Sequence, residues 1–166
     1  MKFLGLEVGS WADWVSGIGS LLAVVFVIVQ MKRDKKMIRN SELKATLELI
    51  SNKRAEARNC TFYFIEELAY REGDQKKVIF ETNKFINEMS QFISEMFKLV
   101  SNLEEKKLVA ELLIANHRIN EYLIKIYEIE DFFENKKEIL NHVGEINRNL
   151  SRIDKLLLNY HIENYK

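Results

Sequence analysis

Proline is absent from this chain of 166 residues, and glycine occurs only at positions 5, 9, 17, 19, 73 and 144. Proline removes a backbone donor and glycine is the poorest helix former after it. Two long stretches, 20–72 and 74–143, therefore contain nothing that interrupts a helix. Cysteine occurs once, at Cys60, which excludes an internal disulfide and fits a reducing compartment. With no Cys or His close to it in sequence, Cys60 reads as a small buried hydrophobe. A net charge is lacking too: 25 Lys and Arg stand against 25 Asp and Glu.

The neutral total hides an asymmetry. Lys32, Arg33, Lys35, Lys36 and Arg39 form one basic cluster, whereas from residue 40 onward 19 cations face 22 carboxylates. A domain with that balance lacks the basic footprint of a nucleic-acid binder, so nucleic acid is not an expected partner. Apolar residues are 47% and charged residues 30% of the chain, the usage of a packed protein and not of a disordered one.

Residues 14–31, WVSGIGSLLAVVFVIVQM, hold no charged side chain. As a helix they cover about 27 Å, close to the hydrocarbon thickness of a bilayer. Ser10 and Asp13 have the spacing of a capping box, which starts the helix at Trp11. A cleaved signal peptide would need a basic start, a shorter apolar core and a small-residue cleavage site, and 25–32, VFVIVQMK, offers none. The spacing therefore predicts one membrane helix over 11–31, after a short extracytoplasmic segment at 1–10. Trp11 and Trp14 would sit in the headgroup zone. The basic residues at 32–40 would hold anionic lipid headgroups from the cytoplasmic side. Lys2 is the only cation before the span, so the positive-inside rule puts the N-terminus outside and the bulk of the chain in the cytoplasm, at the inner or plasma membrane.

The two faces of this helix differ. Asp13, Ser16, Ser20, Ala23 and Val27 share one side, with Gly17 adjoining, while Ile18, Leu22, Val25, Phe26 and Val29 cover the other. Small and hydroxylated residues let helices approach closely in lipid, so the first face is expected to pack against other copies. In a ring of copies it could instead line a pore with Asp13 at its outer mouth. A cap in the headgroup zone, with no packing role for the stripe, is the plainer alternative.

Residues 41–166 are expected to form a cytoplasmic, up-down bundle of about four helices with coiled-coil-like packing, making the chain all-α with one N-terminal transmembrane helix. The first runs from about 41 to 71 and ends at Gly73 as a cap. The second, about 75–100, carries Ile79, Ile86, Met89, Ile93, Met96, Val100 and Leu103, with Thr82 filling one gap. Ser101 and Glu104 repeat the capping-box spacing, and the third helix continues to about Phe133 through Leu108, Leu112, Ala115, Ile119, Tyr122, Ile126 and Ile129. The last, from about Lys136, presents Ile139, Val143, Ile146, Leu150, Ile153, Leu157 and Tyr160. Phe62, Phe64, Tyr127, Phe132, Leu156 and Leu158 fall off these seams and point to broad burial or to contact with another copy.

Catalytic patterns are missing. His117, His142 and His161 have no zinc spacing, and Glu138 with His142 reads as a surface pair. No cofactor is expected. The Arg-x(4–6)-His motif of the helical HEPN ribonucleases is not met. After Arg148-Asn149, Ile153 and Asp154 stand where the histidine would fall, and Arg152 to His161 leaves eight residues between.

The stretch WADWVSGIGSLLA at 11–23 resembles the start of many small bacterial membrane proteins with one anchor helix and a cytoplasmic helical domain, several of which accompany anti-phage systems. The layout also resembles the membrane accessory proteins of type VI-B CRISPR loci, which assemble into a ring-shaped pore and carry a HEPN-like domain. The resemblance implies a homo-oligomer that perturbs the membrane in phage defence. A passive anchor that recruits a cytoplasmic protein and a membrane-tethered degenerate ribonuclease are the alternatives. No site residue is carried over from it.

Overall fold

The computed structural model describes the backbone at 2–3, 6–70 and 74–164, and the side chains at 21–69 and 74–162. Two short strands, β1 (Lys2–Phe3) and β2 (Leu6–Glu7), pair antiparallel with Lys2 opposite Glu7. Four helices follow: α1 (Val8–Tyr70), α2 (Gln75–Ser101), α3 (Lys106–Tyr127) and α4 (Lys136–Asn164). α1 starts three residues before the position that the Ser10–Asp13 spacing suggested, and those two side chains lie outside the described residues. Its 63 residues run without a break through the expected membrane segment and the first bundle helix. By compactness the chain divides into Met1–Lys44 and Ala45–Lys166.

Within the second unit the last part of α1 and α2 to α4 form an antiparallel bundle. α1 meets α2 where Phe64 stacks on Phe85, ring centroids 4.4 Å apart, and one turn on where Cys60 meets Glu88. α2 and α3 are tied by the Asn116 amide, which donates to the Ile93 carbonyl at 3.1 Å. α3 and α4 run in opposite directions past Tyr122 and His142, and Arg54 closes the ring to α4 with a 2.7 Å ion pair to Asp154. Short breaks between neighbours make this order the natural one for a bundle.

The core explains the helices. Ile139, Val143, Ile146, Leu150 and Ile153 of α4 are wholly buried at spacings of four and three, as expected. Each such side chain contributes on the order of 1.5–3 kcal/mol relative to exposure. On and just after α2, Thr82, Met89, Met96, Val100 and Leu103 are buried as expected, while the part of the seam at Ile79, Ile86 and Ile93 is displaced by one residue. Val78, Phe85 and Phe92 are buried, whereas Ile79 is 40% exposed and Ile86 and Ile93 are half-buried. Both rows repeat every seven residues, so periodicity fits either; the aromatic row faces inward because Phe85 finds Phe64 across the α1–α2 seam. Phe64, which fell off the expected seams, is thus a core residue at 2% exposure. The buried hydroxyls of Thr61 and Thr82 donate to carbonyls of their own helix, so they need no partner elsewhere.

Helix ends differ from expectation in two places. Asp74 caps α2 by accepting from the Lys77 N–H at 3.2 Å, while the expected Gly73 cap lies outside the described residues. The Ser101–Glu104 box does not form: Ser101 still belongs to α2 and its hydroxyl donates to the Lys98 carbonyl, and Glu105 is the residue before α3. α3 stops at Tyr127 and not near Phe133. The Asp131 carboxylate accepts from the Phe133 and Glu134 N–H groups at 2.8 and 3.1 Å, offering the backbone a turn that competes with helix.

Candidate functional site

The first unit presents the most unusual surface among the described residues. Leu21, Leu22, Val24, Val25, Phe26 and Val27 are 53–68% exposed, and Ile28, Val29 and Met31 follow at 43–55%. Ala23 and Gln30 between them are exposed as well. Consecutive residues on a helix point all around its axis, so this is a sleeve of apolar side chains and not a stripe. Lys32, Arg33, Lys35, Lys36 and Arg39 come next, all on exposed positions of the same helix. The expected face is only partly visible. Ala23 and Val27 are exposed like the residues opposite them, while Trp11, Asp13, Trp14, Ser16, Gly17 and Ser20 lie outside the residues whose side chains are described. Among the described residues no helix is long and apolar enough to cross a membrane. Those residues include positions 21–31 of the uncharged run, about 16 Å of helix.

A cleft between α1 and α2 in the second unit holds the lone cysteine. Lys53 bridges Glu56 at 2.9 Å and Glu95 at 3.1 Å. Those hydrogen bonds raise the Lys53 pKa, and the bond from the Gln91 amide, followed by Lys53, lowers that of Glu95. The Cys60 thiol donates to Glu88 at 3.0 Å, and burial, then that carboxylate, pushes its pKa up to about 12. A thiol so held is neither a nucleophile nor a metal ligand near neutral pH, because both roles need thiolate. Cys60 is half-buried and bonded to a carboxylate 28 residues away, a partner that sequence spacing could not reveal.

The histidines do not converge on one site. His117 lies 3.6 Å from Glu121 on an exposed face of α3, and His161 is exposed near the end of α4. His142 lies 3.6 Å from Glu138 and against the Tyr122 ring, with its side chain only 18% exposed, so it is part of the α3–α4 packing and not a free surface pair. Arg148, the nearest approach to a ribonuclease motif, pairs with Glu145 at 2.8 Å. Among the described residues no three His, Cys, Asp or Glu side chains are grouped to hold a metal ion.

No family model, curated protein or solved structure matches the chain.

Proposed function

We propose that the chain is a membrane-anchored helical protein: the first part of α1 inserts in a bilayer and holds the bundle of residues 45–166 on the cytoplasmic face. One observation carries this reading. The sleeve at 21–31 is exposed on every side and runs directly into five cations, the order of chemistry found at a bilayer's inner boundary. At about 25 cal/mol per Å2, that much apolar surface in water is a standing cost that lipid removes. The two tryptophans at 11 and 14 would complete the span on its outer side.

On this reading the chain works as a homo-oligomer, and the small-residue face of Ser16, Ser20 and Ala23 lets membrane helices meet and perturb the bilayer. The extension to phage defence rests only on the resemblance of residues 11–23 and of the general layout. A passive tether for a cytoplasmic partner is the competing reading. A reporter fused after Lys166 should read cytoplasmic, and the chain should stay in membranes through an alkaline carbonate wash. Replacing Lys32, Arg33, Lys35 and Lys36 by Glu should weaken or invert that topology. A chain recovered in the soluble fraction would contradict the proposal. Ser16→Leu, Ser20→Leu and Ala23→Leu together should abolish ion leakage; leakage indifferent to them favours the tether.

A further inference from the structure

α1 meets the rest of the bundle differently from the way α2, α3 and α4 meet one another. Cα atoms of α2 and α3, and of α3 and α4, repeatedly approach within 8 Å, whereas among the described residues α1 scarcely comes so close to any other helix. Its inward positions, 50, 54, 57, 61, 64 and 68, alternate four and three like the seam of α4. Ile50, Phe64 and Leu68 fill the two ends with large apolar side chains, but the middle turns hold Arg54, Ala57 and Thr61. The Thr61 hydroxyl donates to the Arg58 carbonyl of its own helix and so makes no bond across the seam. On α4 the seam is Ile139, Val143, Ile146, Leu150 and Ile153 without a polar member.

Charge and open space lie across those middle turns. Toward α2 there is a cleft of about 200 Å3, with Lys53, Ala57 and Cys60 on one wall and Met89, Phe92 and Glu95 on the other. Lys53 reaches over it to Glu95 at 3.1 Å, with side chains 35% and 31% exposed. Toward α4, Arg54 and Arg58 share Asp154 at 2.7 and 3.7 Å. The Nε atoms of both arginines are buried and have no partner among the described residues. A charged pair that sheds water gains little over an apolar pair of similar volume, and a buried donor left without an acceptor detracts further. Side chains facing a gap also forfeit the dispersion contacts of a close-packed seam. The middle of the α1 seam is therefore held less firmly than the α3–α4 seam, and α2 to α4 keep an aliphatic core of their own.

We infer that the last part of α1, from Ala45 to Tyr70, is a strap that parts as one helix from a self-standing α2–α3–α4 core, with the Arg54–Asp154 pair as the clasp that holds it closed. Parting uncovers Phe85, Met89 and Phe92 of α2, which are buried while the strap is down. The bundle thus has a closed form and a rarer open one, and a partner that binds the uncovered face favours the open form by its difference in affinity for the two. The strap lies wholly within the second unit, so this inference does not depend on membrane insertion.

Hydrogen–deuterium exchange of the full chain in detergent, read peptide by peptide with mass spectrometry, tests this. Backbone amides at 45–70 should exchange at least about tenfold faster than those at 108–126 and 139–153, because they open without unfolding the core. Asp154→Asn leaves both arginines without their carboxylate and should speed exchange at 45–70 severalfold while 108–126 stays as it was. Arg54→Leu combined with Asp154→Leu puts an apolar pair in place of the clasp and should slow exchange at 45–70 below that of the unaltered chain. Circular dichroism checks that each variant keeps its helix content. Uniform exchange across the four helices, or an Asp154→Asn effect as large at 108–126 as at 45–70, makes the bundle one cooperative unit and overturns the inference. An apolar pair that leaves exchange at 45–70 as fast as before overturns the role of the clasp.

Discussion

Leu22, Phe26 and Val29 on α1 and Ile139, Val143 and Ile146 on α4 are all apolar residues of long helices, yet the first three are 43–66% exposed and the last three are fully buried. Amount of apolar side chain does not separate them; its arrangement does. On α4 the apolar positions recur at four and three with Glu138, Asn141, Glu145 and Arg148 between them, so one face can be covered by neighbours and the other left to water. At 21–31 only Gln30 interrupts, and no face is polar. A stripe is completed by neighbouring helices of the same bundle; in the function proposed above, the sleeve is completed by lipid.

The contrast can be broken with large-to-small substitutions in the two regions. Leu112→Ala or Ile146→Ala, both at fully buried positions, should cost on the order of 2–5 kcal/mol in cooperative unfolding of the bundle, because each leaves a cavity. Val25→Ala, at a 56% exposed position, should leave that transition within about half a kcal/mol. Chemical denaturation followed by circular dichroism reads both, and similar losses would show that the two regions are not packed differently.

Cys60 sharpens the picture of the α1–α2 seam. Its thiol stands at about 12 against an ordinary 9.0, so the folded chain holds far less thiolate at pH 8 than the unfolded one. The higher intrinsic nucleophilicity of a basic thiolate offsets part of that. Alkylation by a small iodoacetamide should run roughly tenfold to a hundredfold slower in the native chain than in urea. A raised acid pKa favours folding below the unfolded value, and this contribution is lost as pH rises from about 9 towards about 12. Glu88→Gln removes the carboxylate and should speed native alkylation.

The smallest effect lies on α4. A Cβ at Gly144 would meet nothing within 4 Å, and a glycine inside a helix carries extra unfolded-state entropy. Gly144→Ala should therefore stabilise the bundle by about 0.5–1 kcal/mol, read as a raised denaturant midpoint.

Where one apolar rhythm is present, the sequence is readable: Ile139 to Ile153 lie buried as the spacing says. Where two rhythms run one residue apart, as with Ile79, Ile86, Ile93 beside Val78, Phe85, Phe92, periodicity cannot choose, and the stacking of Phe64 on Phe85 does. The end of α3 is hidden in the sequence because the apolar pattern continues through Ile129 and Phe133, although the helix stops at Tyr127 and Asp131 holds a separate turn at 133–134. Pairings between distant positions, Cys60 with Glu88 and Asn116 with Ile93, leave no local signature at all. Of the candidate membrane face, Ala23, Val27 and the cations from Lys32 to Arg39 are seen at exposed positions, and the side chains before residue 21 lie outside the described residues.

The central claim, that the sleeve at 21–31 is covered by lipid and the bundle surface is not, is tested most directly by thiol labelling in membranes. Phe26 and Leu158 are 66% and 59% exposed, so cysteines there are similarly open in the chain itself. In a Cys60→Ser background, Phe26→Cys and Leu158→Cys should label with a water-soluble maleimide at rates that differ by at least about tenfold in inverted vesicles, since lipid excludes both the reagent and the thiolate. Leu158→Cys should react fast and Phe26→Cys should react only after detergent and denaturant expose it. Equal rates in intact vesicles would contradict the account.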